Sequence, residues 1–228
     1  MNQVPVIAID GPSGSGKGTV AAATAGKLGW HFLDSGALYR LLGFAALSRK
    51  ISPGDEVSLA RLAQEMHVVF DFSRTGNESI LLDGIPVGDQ LRNESVAAAA
   101  SQLAAFAAVR AALLDLQHGF HKAPGLVADG RDMGTVVFPD AFYKVFLTAS
   151  VEERANRRYM QLKDKGLDAN ILALLGEIRE RDARDASRAI SPLIPATDAE
   201  LIDTTKLSID RVVQKVLKQA RKRLAERS

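Results

Sequence analysis

The sequence predicts a three-layer α/β fold: a five-stranded parallel sheet between helices, with a small inserted antiparallel β/helical lobe. Three observations point there. Short apolar, β-branched runs alternate with helix-patterned segments, which suits strands buried on both faces of a parallel sheet. A glycine-rich loop joins the first such run to the first helix. Antiparallel signals, among them an Asp-Gly turn, interrupt the alternation in the middle of the chain.

Taken in order, "VPVIAID" (4–10) is the first strand, and "TVAAATAGKL" is the helix after the loop, with Gly29 as its stop. "WHFL" is a second strand. "ALYRLLGFAALSRK" is a helix with apolar residues at 38, 41, 42 and 45, ending before the "SPGD" turn at 52–55. "VVFDF" (68–72) and "SILLDGIPV" (79–87) read as strands separated by "SRTGNE", with Asp83-Gly84 as a hairpin turn. A helical region follows over 94–120, N-capped by Asn93. "GLVADG" (125–130) and "YKVFLT" (143–148) resume the strands, and charged helices follow at about 151–165 and 170–189. "AELIDTT" (199–205) is the last strand. The final helix, 208–226, carries Ile209, Val212, Val213, Val216, Leu217, Ala220 and Leu224 at helical spacing.

A chain of 228 residues with 46% apolar and 25% charged residues builds an ordinary globular core, and its formal charge of +2 does not imply a polyanion partner. The cationic end of the last helix (Lys218, Arg221, Lys222, Arg223) suits the negative pole of the helix dipole better than a nucleic-acid tail. Without cysteine there are no disulfides, thiolate metal sites or thiol nucleophile. The pair His118/His121 reads as a solvated helix end. The opening residues run straight into a strand, and no run of about 18 apolar residues spans a bilayer. A cytoplasmic protein is expected.

Chemistry concentrates first in "GPSGSGKGT" (11–19). A loop between a buried strand and a helix N-terminus points backbone N–H groups outward, and the helix dipole adds partial positive charge, so the loop cradles phosphate. Gly11, Gly16 and Lys17 match the spacing G-x-x-x-x-G-K-S/T, but Gly18 stands where a hydroxyl usually meets magnesium, and Thr19 supplies it one residue late. This variant resembles the nucleoside monophosphate kinases. Magnesium is then held mainly by nucleotide and water, with Thr19 and Asp129 as candidate outer-shell supports.

Three further stretches carry charge to the same chemistry. In "LDSGALYR" (33–40), Ser35, Tyr39 and Arg40 suit a cleft binding a phosphorylated acceptor, and equally suit a helix cap with a packed tyrosine. In "ADGRDMGTVVFPDA" (128–141), Asp129 ends a strand where ligands gather, and Arg131 and Asp132 follow on a tight loop. In "EIRERDARDASR" (177–188), Arg181, Asp185 and Arg188 fall within about 60° in helical projection. Glu177/Arg181, Glu180/Arg184 and Arg181/Asp185 also suit a plain exposed helix. Phosphoryl transfer needs such guanidinium charge because it depends on positioning and electrostatics. Arg154, Arg157 and Arg158 would bring more on a mobile lid.

Together "IDGPSGSGKGT", "LDSGALYR", "ASQLAAF", "VADGRDMGTVVFPDA", "RANRRYMQL" and "ERDARDASR" make the chain resemble the bacterial cytidylate kinases, nucleoside monophosphate kinases of the P-loop class, from its first strand to its last helix. The resemblance implies one P-loop kinase domain over 1–228, with a core at 1–62 and 101–228, a CMP-binding lobe at about 63–100 and a lid at about 152–167. It implies ATP-dependent phosphorylation of CMP and dCMP with Mg2+. ATP phosphates would bind Gly11, Pro12, Ser13, Gly14, Ser15, Gly16, Lys17, Gly18 and Thr19, with Arg157 and Arg158. Ser101, Arg110 and Asp132 would hold the cytosine, and Arg40, Arg131, Arg181 and Arg188 the acceptor phosphate. Ser35, Tyr39 and Asp185 would shape the sugar and base pocket. Lys17, Arg131, Arg157, Arg181 and Arg188 would be catalytic. Cytosine offers an N4 donor to a carboxylate such as Asp132, where uracil presents an acceptor. "FAAVR" (106–110) departs from the family, which commonly has a proline in this turn.

A kinase of another small acceptor, UMP or shikimate-like, would keep the loop and change the pocket. A non-kinase nucleotide switch would keep a hydroxyl at position 18. A monomer acting on small molecules, with neither nucleic acid nor membrane as partner, is expected.

Overall fold

A computed structural model describes residues 4–71, 79–88 and 90–227. The chain forms two compact units, one of Met1–Asp34 with Gly119–Ser228 and one of Ser35–His118.

The first unit holds the parallel sheet. Its strands are β1 (Val6–Asp10), β2 (His31–Asp34), β6 (Leu126–Gly130), β7 (Tyr143–Thr148) and β8 (Glu200–Asp203), in the order β2-β6-β1-β7-β8. Every pairing is parallel, with Asp10 opposite Gly130 and Asp34 opposite Asp129. The register therefore sets Asp10, Asp34 and Asp129 along one carboxyl edge. Ile7, Ile9, Val127, Val145 and Leu147 are buried in the sheet, as an all-apolar parallel strand requires. Against them pack α1 (Lys17–Leu28), through Val20, Ala21 and Ala25, and α8 (Ile209–Ala225), through Val212, Val213, Val216, Leu217 and Ala220. The stripe predicted for the last helix is thus its core face. Helices α6 (Val151–Asp164) and α7 (Ile171–Ala186) share a smaller seam of Ala155, Leu174 and Ile178. Asn170 caps α7 by accepting from Leu172 and Ala173. The sequence places 170–189 in one helix, but α7 stops at Ala186 and Arg188 lies beyond its cap, Ser187.

The second unit combines helices and a small antiparallel sheet, β3 (Val68–Asp71), β4 (Ser79–Leu82) and β5 (Ile85–Pro86), paired in that order. Asp83 and Gly84 join β4 to β5 with φ of 51° and 83°, the left-handed pair that a tight hairpin needs. The turn predicted at "SRTGNE" lies outside the described residues. The helices are α2 (Ser35–Ser48), α3 (Glu56–Glu65), α4 (Glu94–Leu103) and α5 (Ala107–His118). The sequence reading passes over α3, although Asp55 caps it by accepting from Ser58, and Leu59, Leu62 and Ala63 are its buried face. The helical region predicted over 94–120 is two helices bent by 100°. They pack on different partners, α4 on α2 and α5 on α3, so the apolar face must change direction at Ala104–Phe106. This unit reaches beyond the 63–100 insert in both directions because α2 and α5 pack within it.

Among the described residues no single helix is long and apolar enough to cross a membrane.

Candidate active site

The phosphate loop starts where β1 ends. Gly16 caps α1 at φ 88°, a torsion that glycine adopts without strain. Lys17 opens the helix, and its buried Nζ donates to Pro12 O at 3.3 Å. Burial lowers its pKa to about 8, helped by the nearby Arg131 and opposed by Asp129. Ser15 is fully buried, and its hydroxyl makes no hydrogen bond among the described residues.

Gly18 has a spatial explanation. A Cβ there would stand 3.1 Å from Asp129 Oδ2. Burial raises the Asp129 carboxyl to about 7 against the pull of Lys17. Its Oδ1 has no hydrogen-bond partner among the described residues. A buried carboxylate with a spare oxygen beside a side-chain-free position suits hydrated magnesium on a nucleotide, with Thr19 exposed nearby in sequence. Among the described residues no three His, Asp or Glu side chains gather to hold a metal without it.

Next to the loop lies a guanidinium cluster organised by one acid. Asp185 is buried, and its Oδ2 accepts Arg131 Nε at 3.0 Å while its Oδ1 accepts Arg188 Nη2 at 2.5 Å. Burial alone would raise this carboxyl, but Arg131 and Arg188 together hold it below its ordinary value. Arg131 also donates to Gly130 O at 3.2 Å. Arg181, one helical turn before Asp185, donates to Ser13 Oγ at 3.3 Å and so touches the phosphate loop. Asp132 is buried at the head of the π-helical segment Met133–Val137. Glu180 and Arg184 make only an exposed 4.0 Å pair.

Two arginines of α6 are anchored to the loop. Arg154 is buried, donating to Ser13 O at 3.1 Å and forking onto Asp182 at 3.0 and 2.5 Å. Arg157 donates to Gly14 O at 3.3 Å, Thr204 O at 2.7 Å and Glu153 at 2.8 Å. Arg158 lies half-buried on α6. Asp182 and Thr204 escaped the sequence reading. Thr204 is buried, with its hydroxyl 2.9 Å from Ser15 O and 3.0 Å from Thr148 O. Only a three-dimensional neighbour distinguishes these two from ordinary surface polar residues.

In the unit Ser35–His118, the Arg110 guanidinium lies 5.9 Å from the centre of the buried Tyr39 ring. Arg110 also donates to Ala104 O at 3.3 Å, which ties it to the bend between α4 and α5. Arg40 donates to Leu91 O at 2.9 Å. The Ser35 hydroxyl donates to Gln117 Oε1 at 3.4 Å. The buried Ser101 hydroxyl has no partner among the described residues. His121, expected at a solvated helix end, is instead half-buried beyond α5, with its Nε2 2.8 Å from Val4 O and its ring packed on Phe138.

A family model described as cytidylate kinase matches residues 7–222. The chain is 60% identical over 217 residues to the cytidylate kinase of Stutzerimonas stutzeri, covering 95% of each. It is 58% identical over 215 residues to that of Pseudomonas paraeruginosa, covering 94% of each, and 55% identical over 221 residues to that of Salmonella arizonae, covering 97% of each. With a matching family model over nearly its whole length and relatives this similar, the chain belongs to the cytidylate kinase family.

Proposed function

We propose that the protein transfers the γ-phosphoryl group of ATP to CMP or dCMP, giving ADP and CDP or dCDP by direct in-line displacement. The observation that carries this is the contact of Arg181 with Ser13: a guanidinium cluster for one anion adjoins an amide cradle for another. The attacking oxygen belongs to an acceptor phosphate that is already anionic, so no general base is required.

Residues Gly11 to Thr19 bind the ATP phosphates through backbone N–H groups, and Lys17 reaches the β and γ oxygens. Arg157 and Arg158, in the lid at about 152–167, add charge to the same nucleotide. Arg131, Arg181 and Arg188 neutralise the transferring group and the acceptor phosphate, each supplying on the order of a hundredfold in rate. Arg40 takes the acceptor phosphate. Ser35 and Tyr39 line the sugar and base, and Ser101 and Arg110 receive the cytosine O2 and N3 edge. Asp132 accepts from the cytosine N4, and Asp185 meets the ribose. Asp129 and Thr19 support magnesium through water. When bound, that ion neutralises charge on the β and γ oxygens. The protein works as a cytoplasmic monomer on small molecules, without nucleic-acid or membrane partners.

A coupled assay of ADP formation tests this with CMP, dCMP, UMP, AMP and shikimate as acceptors. CMP and dCMP are expected to accelerate ATP consumption well above basal hydrolysis. A preference for another acceptor, or none at all, would overturn the reading.

A further inference from the structure

We propose that Asp10 is a positioning residue for acceptor binding: its carboxylate fixes the turn that carries Arg131 and Asp132 relative to the phosphate loop. Asp10 is the last residue of β1, directly before Gly11. Its Oδ1 accepts the Met133 N–H at 2.8 Å and its Oδ2 accepts the Gly134 N–H at 2.8 Å. The two oxygens thus hold consecutive amides of the π-helical segment, one step beyond the acceptor residues Arg131 and Asp132. The donors lie 123 and 124 positions away in sequence, so nothing local enforces the arrangement. Asp10 is buried at 5% exposure, so these bonds are shielded from exchange with bulk water. Position 134 is also crowded. A Cβ there would stand 3.2 Å from the Lys144 side chain and 3.4 Å from Asp10 Oδ2, so the turn sits close against the strand ends.

The consequence is mechanical. Met133 and Gly134 have little room to drift, and Arg131 is pinned twice, by Asp185 at its guanidinium and by Asp10 through the backbone two residues on. Asp10 touches neither substrate, so it acts through Arg131 and Asp132. This inference rests on the reading that those two residues bind the acceptor.

Asp10→Asn keeps the shape but replaces one acceptor oxygen with an NH2 group facing a backbone N–H, which releases one of the two amides. The expected result is a loss in kcat/KM for CMP of about tenfold to a hundredfold, since small misplacement of a charge clamp costs that much. ATP affinity, read by titration with a non-hydrolysable analogue, stays within about twofold, because the loop amides themselves are untouched. In an Arg131→Ala background the same substitution costs clearly less than in the wild type, because one of the two residues it positions is gone. Full additivity of the two losses, or an equal weakening of ATP binding, overturns the proposal. Were Arg131→Ala alone without effect, the assignment of Arg131 would fail instead, which separates the two ideas. If Asp10→Asn does not fold, the wild-type chain still decides. The Met133 and Gly134 amide protons are expected to be shifted downfield and protected from exchange, and rapid exchange at either would sink the proposal.

Discussion

Asp185 accepts the Nε–H of Arg131 at 3.0 Å across 54 positions of sequence, and its other carboxylate oxygen takes Arg188. The Asp185 side chain is 2% exposed, against 17% for Arg131 and 9% for Arg188. One buried acid therefore aims two guanidiniums whose charges would otherwise repel.

Removing that acid should leave two cations packed together without compensation. Asp185→Asn is expected to lose about 3 kcal/mol of stability in urea unfolding, as when one partner of a buried ion pair is deleted. CMP turnover should fall with it by more than tenfold, on the order expected for misdirected charge. The carboxyl is held below its ordinary value of 3.8 in the folded chain. The stability it contributes is therefore present above that pH and lost as pH falls through the folded pKa. Wild type and Asp185→Asn should converge in stability in strong acid.

Lys17 titrates near 8 because burial and Arg131 disfavour its charge. Phosphate oxygens favour the ammonium, so the ATP complex holds a proton that the free protein has lost above that pH. ATP affinity should fall as pH rises beyond 8, by at most about tenfold per pH unit. Calorimetry at about pH 8.5 in two buffers of different ionisation heat should show proton uptake on binding. Lys17→Met should abolish it.

Gly18→Ala sets two effects against each other. Alanine favours the first turn of α1 by up to about 1 kcal/mol. Its Cβ would press on Asp129 Oδ2 from 3.1 Å. Thermal stability should barely move, while the magnesium concentration giving half-maximal activity rises about tenfold, as for disturbed outer-shell groups. An unchanged magnesium response would detach Asp129 from the ion.

Ser101 carries a buried hydroxyl with no partner among the described residues. A group kept there for folding would be hydrogen-bonded, so Ser101→Ala should retain or gain stability, by up to about 1 kcal/mol. The KM for CMP should rise about tenfold, the value of one lost hydrogen bond to substrate. A stability loss with unchanged KM would assign the hydroxyl to structure.

What the sequence made legible is what short-range chemistry encodes. The apolar run before Gly11, the glycine torsions, the Asp83-Gly84 turn and the stripe on α8 are local patterns, and each appears where expected. Helix α3 was legible too, through the Asp55 cap and the spacing of Leu59, Leu62 and Ala63, although the sequence reading passes over it. The bend at Ala104–Phe106 was not legible in the apolar pattern, because it follows from α4 and α5 facing different helices; only the family resemblance implied a turn near it. The helical projection grouped Arg181, Asp185 and Arg188 as candidates. That Asp185 would divide itself between Arg131 and Arg188, or that Arg157 would bond to Gly14 and Thr204, depends on partners distant in sequence.

The most direct measurement is a crystal structure with CMP and a non-hydrolysable ATP analogue bound together. The CMP phosphate is expected within hydrogen-bonding distance of Arg131, Arg181 and Arg188, in line with β and γ phosphates held by Lys17 and the amides that follow Asp10. A CMP phosphate lodged elsewhere, with those three guanidiniums still bonded only to protein, would contradict the account.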